Sequence, residues 1–110
     1  MANITGGFDT SATPNASAFL VSVVTVTTSG TPVNVASQVI PNGFSVAIRA
    51  YRGNGSKVLY VATSSVNTAD ATKRVELKSG ETVSLMVDNA NLVWLDASGN
   101  GTKAEVLTEI

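Results

Sequence analysis

The 110-residue sequence contains no cysteine and no histidine. Without cysteine there are no disulfides, thiolate nucleophiles, iron–sulfur clusters or thiolate zinc sites. Without histidine the chain lacks the usual general base near neutral pH and the commonest metal ligand. Only 14% of the residues are charged and 5% are aromatic. We therefore expect a protein that is not an enzyme and that holds no metal or cofactor.

Long hydrophobic runs are also missing. The longest nearly apolar stretch, Phe19–Val26, has eight residues with a serine inside it, whereas a membrane-spanning helix needs about 20. The first ten residues lack the basic and apolar regions of a secretion signal. The net charge of −1 is too small for general attraction to nucleic acid or to an acidic membrane. We expect neither as a partner, and we expect synthesis and release in a cytosol.

The charges that are present are unevenly distributed. Six of the seven basic residues lie between positions 49 and 78, and five acidic residues follow position 80. This pattern is typical of solvated strand faces and turns. It also fits a surface of two signs that docks on copies of itself or on a partner.

Residues 1–18 differ in composition from the rest of the chain. They are rich in Asn, Thr, Ser and Gly, and Ile4 and Phe8 are isolated apolar residues. Such a segment cannot bury enough surface to fold alone. It is either a frayed terminus or an extended arm that lies on a neighbouring subunit, with Ile4 and Phe8 as anchors. We treat 1–18 as an N-terminal extended arm and 19–110 as a single β-sandwich or barrel domain.

From Phe19 onward, β-branched residues and a period near two predict strands. The predicted strands are 19–28, 33–40, 44–51, 57–63, 73–77, 82–88, 92–96 and 103–109. The breaks between them are rich in Gly and Asn, which suit tight turns. The longest break, with a short helical turn in 66–72, separates the fourth strand from the fifth. We expect an all-β domain of about eight short antiparallel strands, a compact sandwich of jelly-roll type or a small barrel.

Alternation predicts which strand faces are buried. Phe44, Val46, Ile48 and Ala50 should face the core, with Arg49 outward. In the same way Val83, Leu85 and Val87 form an inward set, and the Ser79–Gly80 turn predicts a hairpin between the fifth and sixth strands. Around 58–61 and 92–95 both faces are apolar, so those strands are either central and covered twice or face a subunit interface.

No catalytic constellation is evident. Asp88 and Asp96 flank the strand that carries Trp94, an arrangement that could serve a sugar site, but a lone tryptophan in a strand is usually core or interface. The segment 88–91 offers oxygen ligands as calcium loops do, yet it lacks their further acidic residues, so a simple turn is favoured. The segment Arg52–Ser56 lacks the phosphate-loop ending and is predicted to be an exposed flexible hairpin whose tip could make a contact.

Three motifs resemble a small β-domain of tailed-phage virion proteins. They are P-x-G-x-x-V-x-I-x-A at 41–50, V/L-Y-V-x-x-S-S-V at 59–66, and L-x-x-G-E-x-x-x-L-x-V-D-N followed by an apolar strand at 77–95. The likeness covers about residues 31–107, so it implies nothing for the arm. It implies a head decoration, cement, neck or fibre component and not an enzyme.

The resemblance gives the functional expectation. We expect a virion structural protein, a capsid decoration or cement protein that assembles in the host cytoplasm and stabilises the shell. Its partners would be the major capsid protein or other virion subunits, and copies of itself, taken here as a trimer. The alternative is a receptor- or carbohydrate-binding module of a fibre, neck or tail, with Trp94, Tyr51 or Tyr60 as a stacking surface. The candidate interface residues are Ile4, Phe8, Arg52, Asn54, Tyr60 and Trp94.

Overall fold

The computed structural model describes residues 18–110, which form eight strands joined by turns. The strands are β1 (Phe19–Val26), β2 (Val33–Asn34), β3 (Val46–Ala50), β4 (Leu59–Ala62), β5 (Val75–Leu77), β6 (Thr82–Leu85), β7 (Trp94–Ala97) and β8 (Thr102–Glu109). Three 3₁₀ turns lie at Arg52–Asn54, Asn67–Ala69 and Ala90–Leu92. No helical segment in residues 18–110 has the length and apolar character that a membrane crossing requires.

The strands form two antiparallel four-stranded sheets. The first sheet has the order β1-β8-β3-β6 and the second has the order β2-β7-β4-β5. Strand 1 therefore pairs with 8, 2 with 7, 3 with 6 and 4 with 5. This nested pairing is that of a jelly roll, in which a long antiparallel ribbon is rolled into two facing sheets. The expected all-β sandwich is confirmed.

All eight predicted strands are present, and the largest difference in length is at β2. The strand was predicted over 33–40, whereas β2 spans only Val33–Asn34. Beyond it the chain still bonds to the neighbouring segment, through Val35 N–H to the Val93 carbonyl and Ile40 N–H to the Asp88 carbonyl. The 3₁₀ turn at Ala90–Leu92 interrupts that partner segment, so a regular ladder cannot continue.

The predicted hairpin between the fifth and sixth strands is wrong. β5 pairs with β4 in the second sheet, and β6 pairs with β3 in the first. The turn between them crosses from one sheet to the other, and Gly80 N–H donates to the Ala50 carbonyl of β3. A Ser-Gly turn with glycine at positive φ, here Gly80 at 86°, suits a hairpin and a connection between sheets equally well. The local sequence therefore could not distinguish the two.

The core lies between the sheets and follows the predicted alternation. Val46, Ile48 and Ala50 of β3 are buried and Arg49 is exposed. β4 and β7, predicted to be apolar on both faces, are the two central strands of the second sheet. The chain between β4 and β5 packs against both of them through its 3₁₀ turn, and Thr68 of that turn is fully buried. The two central strands of the second sheet are thus packed on both faces.

The N-terminal arm lies almost wholly outside the described residues. Ala18, assigned to the arm from the sequence, exchanges two backbone hydrogen bonds with Ile110 and so continues the ladder of β1 with β8. Ile4 and Phe8 are not among the residues that the structure describes.

Candidate interaction surface

Part of the outer face of the first sheet is apolar. In β8 the residues from Thr102 to Thr108 are buried at every second position, so Leu107 points to the outer face. The register places Val21 of β1 on one side of Leu107 and Ala47 of β3 on the other. Cross-strand neighbours share a face, so an apolar row crosses three strands. Phe19 and Val23 extend it along β1. We call Phe19, Val21, Val23, Ala47 and Leu107 the apolar face.

This apolar face is open to solvent. The exposed fractions are 65% for Phe19, 61% for Val21, 58% for Val23 and 37% for Leu107. Contiguous exposed apolar surface of this kind commonly marks an interaction site on a soluble protein. The outer face of the second sheet differs, because the segment 63–74 covers part of it. The two outer faces of the sandwich therefore differ, and the outer face of the first sheet is the one that no other segment of residues 18–110 covers.

An ion pair borders the apolar face. Arg49 Nε donates a hydrogen bond to Glu105 Oε1 at 2.6 Å, and the two residues lie directly opposite each other on β3 and β8. This hydrogen bond, helped by the charges of Arg49 and Arg52, lowers the pKa of Glu105 below its ordinary value. The pKa of Arg49 is raised by the same hydrogen bond and by the charge of Glu105. Exposed pairs of this kind add little stability, but they can fix the orientation of a partner.

A groove of about 310 Å³ joins the apolar face to the ion pair. Its lining includes Val21, Ala47, Arg49, Thr82, Glu105 and Leu107. The groove offers an apolar floor beside one positive and one negative group. This combination suits an apolar side chain of a protein partner that has polar neighbours.

The turn after β3 has a structural role that the sequence did not reveal. Asn54 is 4% exposed, and its side chain both donates to the Lys103 carbonyl and accepts from the Lys103 N–H, at 2.9 Å each. Asn54 thereby ties this turn to β8. The segment is not the hairpin that we expected, because β3 and β4 lie in different sheets. Arg52 is exposed in the same turn, close enough to Glu105 to affect its pKa.

Tyr51, Tyr60 and Trp94 do not form one stacking surface, because Tyr51 lies apart from the other two. Tyr60 and Trp94 lie on neighbouring strands of the second sheet, both partly buried. The guanidinium of Arg74 covers the Tyr60 ring at 3.6 Å from its centroid. Tyr51 is elsewhere, directly after β3 of the first sheet, with Lys103 Nζ at 5.6 Å from its ring centroid. A sugar ring would have to displace Arg74 to stack on that face of Tyr60.

Of the two acidic residues that flank the Trp94 strand, Asp96 serves a turn. Asp96 is buried, and its Oδ1 accepts from the N–H groups of Gly30 and Ala97. In the segment 88–91, which was compared with a calcium loop, Asn89 Oδ1 accepts from the N–H groups of Asn91 and Gln38 at 3.0 Å each. Across residues 18–110, no three acidic, histidine or cysteine side chains gather in a way that could hold a metal ion.

A cavity of about 380 Å³ opens where the edges of the two sheets diverge, between β5 and β6. Its apolar lining residues are Val61, Ala62, Val75, Leu85, Val87, Leu92 and Val93, with Lys73 and Arg74 also present. No carboxylate is among the lining residues. The cavity therefore lacks the pair of carboxylates that glycoside hydrolysis uses.

Sequence reasoning missed most of the apolar face. Phe19–Val26 stood out as the longest nearly apolar stretch and was predicted to be part of a strand, but its apolar residues were not assigned to an interface. The signal that could have been used is the absence of charge at every second position, Phe19, Val21 and Val23. A strand with apolar residues on both faces is either central or an interface strand, and only the strand order places β1 at a sheet edge.

Comparison with known proteins identifies a related fold only. No family model matches the chain, and no curated protein matches it. Among solved structures it is similar to the IMPa metallopeptidase from Pseudomonas aeruginosa, with 17% identity and a TM-score of 0.54. IMPa in complex with T-antigen gives 15% identity and a TM-score of 0.56. Both alignments cover 89% of this chain and 13% of that chain. The chain thus spans a small part of IMPa, and at this identity the likeness concerns the fold alone.

Proposed function

We propose that this chain is a structural protein of a tailed-phage particle, of the capsid decoration or cement type. It acts by binding neighbouring subunits and has no catalytic role. The observation that carries the proposal is the exposed apolar face of the first sheet, with Val21 and Leu107 at its centre.

Three further features support this proposal. The sequence motifs at 41–50, 59–66 and 77–95 resemble phage virion domains. Jelly-roll sandwiches are common in viral capsid proteins, although fold by itself does not determine function. Within residues 18–110, Asp96 and Asn89 are engaged in turns and no metal-binding cluster is present.

The proposed mechanism is burial of the apolar face against a shell subunit. Removing Val21 and Leu107 from water supplies the non-directional attraction, and the Arg49–Glu105 pair at the border sets the orientation. A shell presents the same site many times, so contacts that are individually weak reinforce the whole lattice. The partner is the major capsid protein or another subunit of the shell.

The test is co-sedimentation of the full chain with shells that lack it, purified from the phage whose genome carries the gene. Leu107→Ser removes apolar surface from the centre of the face, and we expect at least about tenfold weaker binding. Val66→Ser is the matched control, since Val66 is 78% exposed and lies outside the apolar face.

Binding of the unchanged chain with loss only in Leu107→Ser supports the proposal. Thermal unfolding of both variants checks that they remain folded. A folded chain that does not bind the shells, or equal binding by the two variants, would contradict it.

A further inference from the structure

Within residues 18–110, one edge of β1 is unpaired and lacks the usual protective features. The strand pairs with β8 along one edge over all eight residues, and no strand in residues 18–110 pairs with the other. Natural sheet edges are commonly protected by short length, charged side chains, proline or bulges. β2 has only two residues, and β5 carries Glu76 between Arg74 and Lys78. The segment Phe19–Val26 contains no charge, no proline and no glycine.

The hydrogen-bond pattern identifies which groups are open. Ala18 and Ile110 donate to each other's carbonyl at 3.1 and 3.0 Å. Because hydrogen-bonded pairs alternate along an antiparallel ladder, every second residue from Ala18 bonds to β8. The residues between them direct their N–H and C=O groups to the open edge. These residues are Phe19, Val21, Val23 and Thr25.

The side chains at this edge are uncovered on both faces of the sheet. Phe19, Val21 and Val23 belong to the exposed apolar face. On the inner face Leu20 is still 46% exposed, since β2 is too short to cover the start of β1. Unpaired backbone groups and exposed apolar side chains thus occur together on one short strand.

We propose that β1 pairs with β1 of a second copy of this chain, antiparallel and about a two-fold axis. The two first sheets then form one continuous eight-stranded sheet. In the register that uses the whole strand, Val21 lies opposite Val23 of the second copy and Phe19 lies opposite Thr25. All four open residues then bond in pairs, and Leu20 lies opposite Val24.

A second copy fits this edge because β1 is complementary to itself. Reversing the strand places apolar or hydroxyl side chains opposite one another, and no charge meets a like charge. The two-fold axis keeps both outer faces on the same side, so the two apolar faces join. A two-fold contact closes at two copies, so the proposal replaces the trimer that we took from the sequence.

The size of the contact sets its expected strength. The exposed area of Phe19, Leu20, Val21 and Val23 is on the order of 400 Å² per copy. This is about half of the area that each partner contributes to a standard protein interface. The register also brings Ala18 next to Val26 of the second copy.

The test measures the mass of the full-length chain by analytical ultracentrifugation from low to high micromolar concentration. We expect a reversible dimer with twice the 11.3 kDa mass of one chain. Val21→Pro removes an N–H at the open edge without removing a bond to β8, and Val23→Lys places a charge in the middle of the edge. Each should raise the dissociation constant at least about tenfold. Val66→Lys, which adds the same charge at an exposed valine elsewhere, should leave it unchanged.

Amide hydrogen exchange gives a signature that belongs to edge pairing alone. The amides of Val21 and Val23 should become protected as concentration rises, whereas those of Leu20 and Ser22 should be protected throughout by their bonds to β8. A chain that stays monomeric, forms a trimer or dimerises without this alternation would overturn the proposal. So would a dimer that Leu107→Ser abolishes and Val23→Lys does not.

These outcomes are distinguishable from those of the shell-binding test. A chain that is monomeric and binds shells would contradict the proposed pairing of β1 and leave the proposed function supported. A dimer that shows the alternating amide protection but does not bind shells would support the pairing of β1 and contradict the proposed function.

Discussion

The side chain of Asn54 holds the turn after β3 onto β8, and its removal should destabilise the fold. Asn54→Ala removes two hydrogen bonds to the Lys103 backbone, each 2.9 Å long. The Lys103 carbonyl keeps a second donor, the Tyr51 N–H, whereas the Lys103 N–H loses its acceptor. We expect the free energy of unfolding to fall by about 2–3 kcal/mol, from one lost bond and one partly buried donor left without a partner.

This loss corresponds to a fall of about 10–20 °C in the thermal midpoint for a domain of this size. The assay is thermal unfolding followed by circular dichroism, with urea unfolding as a second measure. Asn54→Asp keeps the size but replaces the amide donor, so its carboxylate faces the Lys103 carbonyl. We expect it to be at least as destabilised at neutral pH as Asn54→Ala.

Asn42→Ala is the matched control, because Asn42 is exposed and its side chain has no hydrogen bond within residues 18–110. The control should change the midpoint by no more than about 2 °C. If Asn54→Ala behaved like the control, the reasoning that this buried side chain stabilises the turn would be refuted.

Three further predictions concern pH, the core and a turn. The hydrogen bond from Arg49 lowers the pKa of Glu105 in the folded state, so the ion pair adds to the free energy of unfolding above the ordinary pKa of 4.5, and this stabilisation is lost as pH falls below it. Urea unfolding at pH 3–7 should therefore show a smaller fall in stability on acidification for Glu105→Gln than for the unchanged chain. Identical pH profiles would count against a contribution from this pair. Ile48→Ala empties a fully buried site and should cost about 2–5 kcal/mol, whereas Met86→Ala, at a 77% exposed position, should cost less than about 0.5 kcal/mol in the same assay. Gly80→Ala places a residue with a side chain at a backbone φ of 86° and should lower the free energy of unfolding in urea by about 1 kcal/mol. An unchanged urea midpoint would show that the backbone of this turn relaxes.

The local pattern of the sequence predicted the strands and their buried faces. Alternation from Phe44 to Ala50 correctly identified the buried side of β3, because one face of that strand contacts the core and the other contacts solvent. The apolar runs at 58–61 and 92–95 correctly indicated covered strands. Both inferences depend only on the period of two, which is a local property.

The pairing of the strands depends on contacts that the local pattern does not contain. The Ser79–Gly80 turn has the same chemistry whether it closes a hairpin or crosses between sheets. Asn54 is typical of an exposed turn, and its burial depends on Lys103, which is 49 residues away. The exposure of Phe19, Val21 and Val23 likewise follows from the edge position of β1, which only the order of the strands determines.

The proposed function places this chain in a tailed-phage particle, and a density map of that particle would test the proposal most directly. The account predicts density for the two sheets on the shell, with Val21 and Leu107 buried against a neighbouring subunit and the Arg49–Glu105 pair at the border of that contact. A particle that lacks the chain, or one in which the first sheet faces solvent, would contradict it.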